Sequence, residues 1–499
     1  MDKKVVLAIA LSFLILMGWS TFISKTQNSE NKAVTGNIFQ EKTAPKALVK
    51  AAVSSEKTTL PPTVINFDQE KFRVSFIETQ GAIKEITFNN YQKAEFLLAH
   101  GLLYDDDSIT FTKLDQTKNG VSFRYQDENK KIIKRFIFHN NNYTIELEIE
   151  AENISSVPIK LQIPIALAFL DFSPGNPQAA YQDVAVGLAD KIIRPSPRKD
   201  LLAPGIKYIG TRNRYFCGVI EPESPGYSLF IKKIDGNTSK LGVISPDIDI
   251  QSGQKTLQKF YIYLGPQDLR IINSINPEWS IIIYYGFFDF ISNLLFQLLG
   301  FIYNLVGNWG WAIIIVSAVV YLILFPLTIK QMQSMRHMQL LAPKIEELKK
   351  LYKDNPQRMH KETMELYKKN KVNPAGGCIP MILQIPIFVS FYQVLNRSIV
   401  IKGASFFWIK DLSEPDRLFT YPVDINILPI LMAIGMLVQQ KLSTAKTTGE
   451  YAQQQKMMTL LMPVIFGFFF YRMPSGLVLY WLINSTLMLA YQIRVNQSK

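Results

Sequence analysis

The chain has 499 residues, is 48% hydrophobic and carries a formal net charge of +13. Its two cysteines, Cys217 and Cys378, are too few for a disulfide framework or a thiolate metal site, and His100, His139, His337 and His360 show no ligand spacing, so no metal or cofactor is expected. A soluble protein this basic would suggest nucleic acid. Here, however, the charge sits beside apolar runs, as in a membrane protein, and no direct nucleic-acid recognition is expected.

Residues 1–23 read as an N-terminal signal-anchor transmembrane helix. Asp2-Lys3-Lys4 precede a largely apolar run of 19 residues, Val5 to Ile23, with no small-residue cleavage site. A cleaved signal peptide has an apolar core of about 7–15 residues, whereas this run is long enough to span. Residues 24–62, rich in Ser, Thr, Lys, Asn and Ala, read as a flexible linker closed by Pro61-Pro62.

Residues 63–275 read as an extracytoplasmic antiparallel β-sandwich. In Tyr143 to Glu150 the side chains Tyr143, Ile145, Leu147 and Ile149 alternate with Thr144, Glu146, Glu148 and Glu150, the period of a half-buried strand. Ile132 to Phe138 leads into it through a turn-prone His-Asn-Asn-Asn link. Further strands are expected over Arg73–Glu78, Ile83–Phe88, Tyr227–Lys232 and Leu257–Leu264. The acidic run Asp105-Asp106-Asp107 reads as an exposed turn before a cation site, and no catalytic constellation stands out.

Residues 276–308 are long enough to span, yet Asp289, Ser292, Asn293, Gln297, Gly300 and Asn304 recur at steps of three and four. That pattern puts a polar stripe on one helix face and favours an interfacial amphipathic helix. Topology agrees. If this segment spanned as well as the next, the stretch 330–371, with 11 Lys or Arg against 5 Asp or Glu, would be translocated.

Residues 309–499 read as a five-helix core, with spans near Gly310–Ile329, Cys378–Asn396, Ile427–Gln440, Met458–Tyr471 and Gly476–Gln492. With the anchor this makes six transmembrane helices and places both termini in the cytoplasm. The two cysteines then fall in different compartments and should not pair. Residues 330–373 read as a cytoplasmic helical hairpin, with Ile345, Leu348, Leu351 and Tyr352 on one apolar stripe and Met359 opening a second. Such a hairpin is too polar for lipid but can self-pack or dock a partner.

No Walker A, G-x-G-x-x-G, H-E-x-x-H or G-x-S-x-G motif occurs, and no Asp, Glu, Lys, Arg or His lies well inside the five C-terminal spans. Ion-coupled carriers usually need such groups. The spans do carry uncharged polar residues. For most, helix-to-helix hydrogen bonding accounts for them. Ser317 and Tyr321, four apart on one helix, leave open a face turned to water or to a polar guest. The methionines near the proposed cytoplasmic face fit either core filling or contact with varied apolar partners.

The segments VGNWGWAIIIVSAVVYLILFPLTIKQ, KVNPAGGCIPMILQIPIFVSFYQVL and MPVIFGFFFYRMPSGLVLYWLINS resemble the YidC-type membrane protein insertases of the YidC/Oxa/Alb family, in its Gram-negative form. The resemblance covers residues 278–492. It implies a non-enzymatic insertase and chaperone in the bacterial inner membrane, with the β domain periplasmic. Nascent membrane proteins would pass along a hydrophilic groove, alone or with the Sec translocon. Ribosome or targeting factors would meet the cytoplasmic face, and the lipid bilayer is the remaining partner. The groove candidates are Ser317, Tyr321, Gln384, Tyr480 and Trp481. The family usually places an arginine five residues before the proline of its F/Y-P-L-T motif; here that position is Tyr321. The competing readings are a small-molecule transporter or channel, which would call for inverted repeats or buried ionisable groups, and a membrane scaffold without insertase activity.

Overall fold

The structure is a computed structural model that describes residues 63–91, 94–139, 142–353, 355–370, 372, 379–419, 424–443 and 450–497. The expected anchor (1–23) and linker (24–62) lie outside the described residues, as does Cys378. The chain divides into two compact units, the first ending at Ile283 and the second beginning at Tyr284.

The first unit is a layered antiparallel β structure. Its largest sheet has nine strands in the order Ile192–Ile193, Asp183–Leu188, Ile206–Arg212, Phe216–Pro222, Lys255–Pro266, Thr144–Asn153, Lys130–Phe138, Gly120–Gln126 and Thr112–Thr117. A four-stranded sheet (Val64–Asp68, Phe72–Ile77, Ala82–Phe88, Ala94–Gly101) packs on it through aromatic rings. Phe76 lies 4.9 Å from Phe136, and Phe88 stacks on Phe216 at 4.4 Å. A five-stranded sheet (Leu201–Pro204, Ser228–Lys233, Thr238–Ile244, Pro164–Asp171, Leu103–Tyr104) meets the large sheet where Tyr227 abuts Phe260 at 5.5 Å.

Strand Thr144–Asn153 keeps the alternation seen in its sequence, every second residue buried. Its outward carboxylates form a ladder with both neighbouring strands. Glu150 accepts from Arg135 at 2.6 Å and from Lys255 at 3.2 Å, while Lys259 bridges Glu146 and Glu148 at 3.1 and 2.9 Å. Each such part-exposed pair is worth about 0.2–1 kcal/mol; their combined effect is to fix register on the side of the sheet that hydrophobic burial does not specify. The unit closes with helix α1 (Leu269–Ile275), whose N-terminus is capped by the Asp268 carboxylate, and a 3-10 turn Pro277–Ile282. Trp279 donates its indole N–H to Glu221 at 2.6 Å, holding that turn to the sheet.

The second unit is helical: α2 (Asp289–Val306), α3 (Trp309–Leu351), α4 (Pro356–Lys369), α5 (Ile379–Arg397), α6 (Ile427–Ser443), α7 (Glu450–Phe470) and α8 (Ser475–Gln497). Among the described residues, 289–306, 309–338 and 475–495 are long and apolar enough to cross a membrane, and shorter apolar helices cover 427–442 and 460–470. Many outward side chains are apolar, among them Phe290, Leu294, Leu322, Ile323, Val464 and Phe468. An apolar exterior of this kind suits lipid rather than water.

Two local devices set the α2–α3 corner. Gly307, at φ 69°, ends α2, and the Asn308 side chain caps α3 by accepting from the Gly310 amide at 2.8 Å. The polar stripe expected on α2 is split. Ser292 is fully buried, Asn293 donates to Asp289 at 2.9 Å within the helix, and Gln297 and Asn304 are exposed. The outward face instead carries Phe290, Leu294, Phe301 and Leu305.

Helix α3 carries the expected span Gly310–Ile329 and the start of the expected hairpin in one helix. It runs unbroken for 43 residues, with Pro326 and Pro343 inside it. Proline removes one backbone donor, so Pro326 gives no N–H to the Leu322 carbonyl; the Thr328 hydroxyl makes a separate bond to the Leu324 carbonyl at 3.2 Å. Beyond the apolar part, Leu341, Ile345 and Val372 form a small core with Met338, Leu366 and Tyr367, so that the end of α3 packs on α4.

Candidate functional site

The groove candidates lie on α3, α5 and α8, and the structure gives them unequal roles. Ser317 is fully buried, and its hydroxyl donates to the Ile313 carbonyl one turn back at 2.6 Å. It faces packed helix, because Ala312, Ile313, Val316 and Val320 form the same inner stripe of α3. Tyr321 is half-buried; its hydroxyl is buried and meets no hydrogen-bond partner among the described residues. Its ring leans on Phe325 at 5.8 Å, and Phe325 in turn meets Tyr491 of α8 edge-on at 4.9 Å.

Gln384 and Tyr480 are brought together. The Gln384 amide donates to the Tyr480 hydroxyl, tying α5 to α8. Tyr480 is fully buried and stacks on Phe391 at 4.5 Å, while Asn484 donates to the Tyr480 carbonyl at 2.8 Å. Trp481 turns elsewhere, into a cluster with Phe388, Phe466 and Phe470 at 5.6, 5.7 and 5.3 Å. Thus a polar pair, and a tyrosine hydroxyl without a partner among the described residues, lie inside the bundle together with other polar side chains such as Ser390, Gln393 and Asn484. A buried hydroxyl without a partner loses about 1–3 kcal/mol relative to a satisfied one. Such a group is where a polar guest or water gains most.

The hairpin candidates also separate. Ile345 is in the small core, Leu348, Tyr352 and Met359 are half-buried, and Leu351 is exposed. Arg358 lies over the Tyr352 ring at 5.0 Å.

A second polar cluster escaped sequence reasoning. The Asp416 carboxylate accepts from the Ile427 and Leu428 amides at 2.8 and 3.0 Å, capping α6. Asn426 accepts from the Arg417 amide and donates to the Tyr471 carbonyl, both in the 2.7–2.8 Å range. The Ser475 and Gly476 amides donate to the Glu414 and Leu412 carbonyls at 2.8 and 2.9 Å. Together these join the loop after α5 to the starts of α6 and α8. The only local signal was an Asp and an Asn before an apolar run, ten residues apart, and capping at that distance depends on the loop's path.

Among the described residues no three His, Cys, Asp or Glu side chains converge as a metal site. Asp105, part of the acidic run, is paired with Lys240. Cys217 is buried, and burial pushes its thiol up to about 12.

The sequence matches the family described as 60Kd inner membrane protein over residues 301–499 and the YidC periplasmic domain over residues 68–298. The membrane protein insertase YidC of Herminiimonas arsenicoxydans is 30% identical, with 99% of this chain and 98% of that protein covered. This chain belongs to the YidC family. YidC of Wolinella succinogenes is 31% identical, covering 100% of this chain and 95% of its own length. A solved active YidC insertase, with its first transmembrane domain resolved, shares 20% identity over 86% of this chain and 94% of that chain, at a TM-score of 0.42. In YidC terms the β unit is the periplasmic domain and the helical unit the inner-membrane region.

Proposed function

We propose that this YidC-family membrane protein insertase carries the short polar tail of a nascent membrane protein across the inner membrane along the polar interior of α3, α5 and α8. The observations that support this most are the pairing of Gln384 with Tyr480 and, on α3, a buried Tyr321 hydroxyl without a partner among the described residues. Polar groups inside an apolar bundle reduce the distance over which a crossing tail lacks hydrogen-bond partners, each unsatisfied group costing several kcal/mol in hydrocarbon. Partition of the following apolar segment into lipid then supplies the drive, so no nucleotide is required.

The full topology is part of the same reading. An anchor at 1–23 and five spans in 309–499 give six transmembrane helices with both termini cytoplasmic. Helix α2 lies along the interface, since spanning would carry the basic stretch after α3 across the membrane. The hairpin 330–373 then faces the cytoplasm and meets incoming chains, ribosome or targeting factors, with Leu351 and the exposed Met364 offering apolar contact. The β domain, on the other side, is available to the Sec translocon.

Photo-crosslinkers placed at 317, 321, 384 and 481 during insertion of a short-tailed, single-span substrate test the route. Crosslinks at 321 and 384, with little at the packed position 317, are the expected pattern. Normal insertion after depletion of the protein would overturn the reading.

A further inference from the structure

The loop joining α5 to α6 carries an exposed aromatic tip that neither the insertase reading nor the fold requires. Phe406 and Ile409 exchange two backbone hydrogen bonds of 2.9 Å, closing a tight turn over Phe407 and Trp408. Phe407 sits at φ 49°, a left-handed conformation that costs a residue with a side chain on the order of 1–3 kcal/mol. The turn separates the two phenylalanines. Phe406 is 6% exposed and lies flat on Gly310, where an added Cβ would stand 2.1 Å from its ring. Phe407 is 75% exposed.

Two tryptophans flank it. Trp408, 39% exposed, directs its indole N–H to Asp416 at 3.3 Å, and Trp311, 49% exposed, meets Phe406 edge-on at 5.6 Å. Each ring therefore has one side fixed by the protein and one side bare. Lys410, next in the chain after Ile409, is exposed at the rim.

Position along α3 decides what covers this patch. Gly310 and Trp311 form the first turn of α3, whose residues 309–338 hold a stretch long and apolar enough to cross a membrane, so the tip sits level with one end of a membrane-spanning segment. That is the depth at which tryptophan, with an apolar body and a polar N–H, and lysine at the headgroups are both stabilised. We propose that the Phe406–Ile409 turn is a lipid-interface anchor, with Phe407, Trp408 and Trp311 in the headgroup–acyl boundary of the leaflet at that end of the helical unit. The anchor rests on the reading that α3 spans the bilayer. Its role is to set depth. The same loop caps α6 through Asp416 and receives the first amides of α8 through Glu414 and Leu412, so one anchored turn holds the starts of α3, α6 and α8 at a common level.

The test uses the full chain in vesicles of phosphatidylethanolamine and phosphatidylglycerol, with a nitroxide at Phe407→Cys. Cys378→Ser removes one native thiol, and the buried Cys217 is unreactive. Collision with oxygen and with a water-soluble nickel chelate reports depth; Leu322→Cys serves as a mid-span reference and Asp249→Cys as an aqueous one. The anchor requires the label at 407 to lie at or just below the phosphate level. In a Phe407→Gly background, which also relieves the backbone strain, a label at Lys410→Cys moves outward by about 5 Å, the lower end of the depth to which such side chains bury. A label at 407 as open to the chelate as the one at 249, with 322 deep, overturns the anchor alone; a label at 322 that is also wet overturns the spanning reading beneath it. Shielding of 407 from both reagents in native membranes, but not in pure lipid, would assign the tip to a protein partner and overturn the proposal.

Discussion

The side-chain amide of Gln384 on α5 donates to the hydroxyl of Tyr480 on α8, and Tyr480 is otherwise enclosed by stacking on Phe391. Tyr480 is fully buried and Gln384 half-buried, so the pair's two members are interdependent. Tyr480→Phe leaves a half-buried amide N–H without its acceptor, and Gln384→Leu leaves a buried hydroxyl. Each single change is expected to destabilise the detergent-solubilised chain by about 1 kcal/mol, and the double variant by less than the sum, since it leaves neither group unpaired. Thermal unfolding of the four proteins measures the coupling; strict additivity would mean that the bond contributes nothing.

Lys134 gives the β domain a distinctive pH response. It is fully buried, pairs with no carboxylate among the described residues, and donates to the Gly81 and Leu102 carbonyls. Burial lowers its pKa from 10.5 to about 7. A neutral amine has two N–H groups for those two acceptors, and the added charge of the ammonium is eased only by the Phe111 and Phe136 rings, 5.8 and 5.1 Å away. Between about pH 7 and 10 the unfolded chain binds this proton and the folded chain does not. Stability therefore rises with pH across that window, by at most ~1.4 kcal/mol per pH unit from this group, and the contribution is flat below about pH 7. Lys134→Met should flatten the difference when unfolding of variant and parent is compared from pH 6.5 to 9.5; parallel profiles would show that the lysine is charged in the fold.

Much of this was legible in the chain itself, and what was not has physical causes. Strand Thr144–Asn153 reads directly because one face is buried and the other paired, so its side chains alternate strictly. Lys134 does share the parity of Ile132, Phe136 and Phe138, all buried, yet a lysine in that register only makes sense once two carbonyls from other segments are seen to receive it. The 43-residue reach of α3 past Pro326 and Pro343 is less legible, since proline usually breaks helices and the packing that holds its far end, on Leu366 and Tyr367, comes from α4. Ser317 and Tyr321 share a helix face by spacing, but the neighbours that bury the first and leave the second's hydroxyl without a partner among the described residues come from elsewhere in the fold. The Phe406 turn is the least legible, since its meaning depends on Gly310, nearly a hundred residues earlier.

That dependence can be tested on its own. At Gly310 a Cβ would stand 2.1 Å from the Phe406 ring and 2.7 Å from its Cβ, so neither a rotamer change nor a small shift accommodates it. Gly310→Ala is expected to destabilise the helical unit by about 1–3 kcal/mol, the range for overpacking a filled site. Phe406→Ala removes the obstacle, so the double variant should be more stable than Gly310→Ala alone. Chemical unfolding of the three variants in the same detergent decides it; the absence of rescue would place the constraint on Gly310 elsewhere.

Tyr321 stands where the family resemblance places an arginine, and its surroundings predict what restoring that charge does. The hydroxyl is buried and partnerless among the described residues, so a guanidinium there survives only if water or a guest can reach it. On the reading that a substrate tail passes this point, Tyr321→Arg folds, supports insertion, and favours acidic tails over neutral ones. One charge pair in a partly wet site contributes on the order of 1 kcal/mol, a severalfold preference. Reconstituted insertion of matched substrates differing only in tail charge, at low and high salt, measures it. The preference should shrink as salt rises, because ions that enter with water screen the pair. Equal insertion of acidic and neutral tails by a folded Tyr321→Arg protein would show that tails do not pass residue 321.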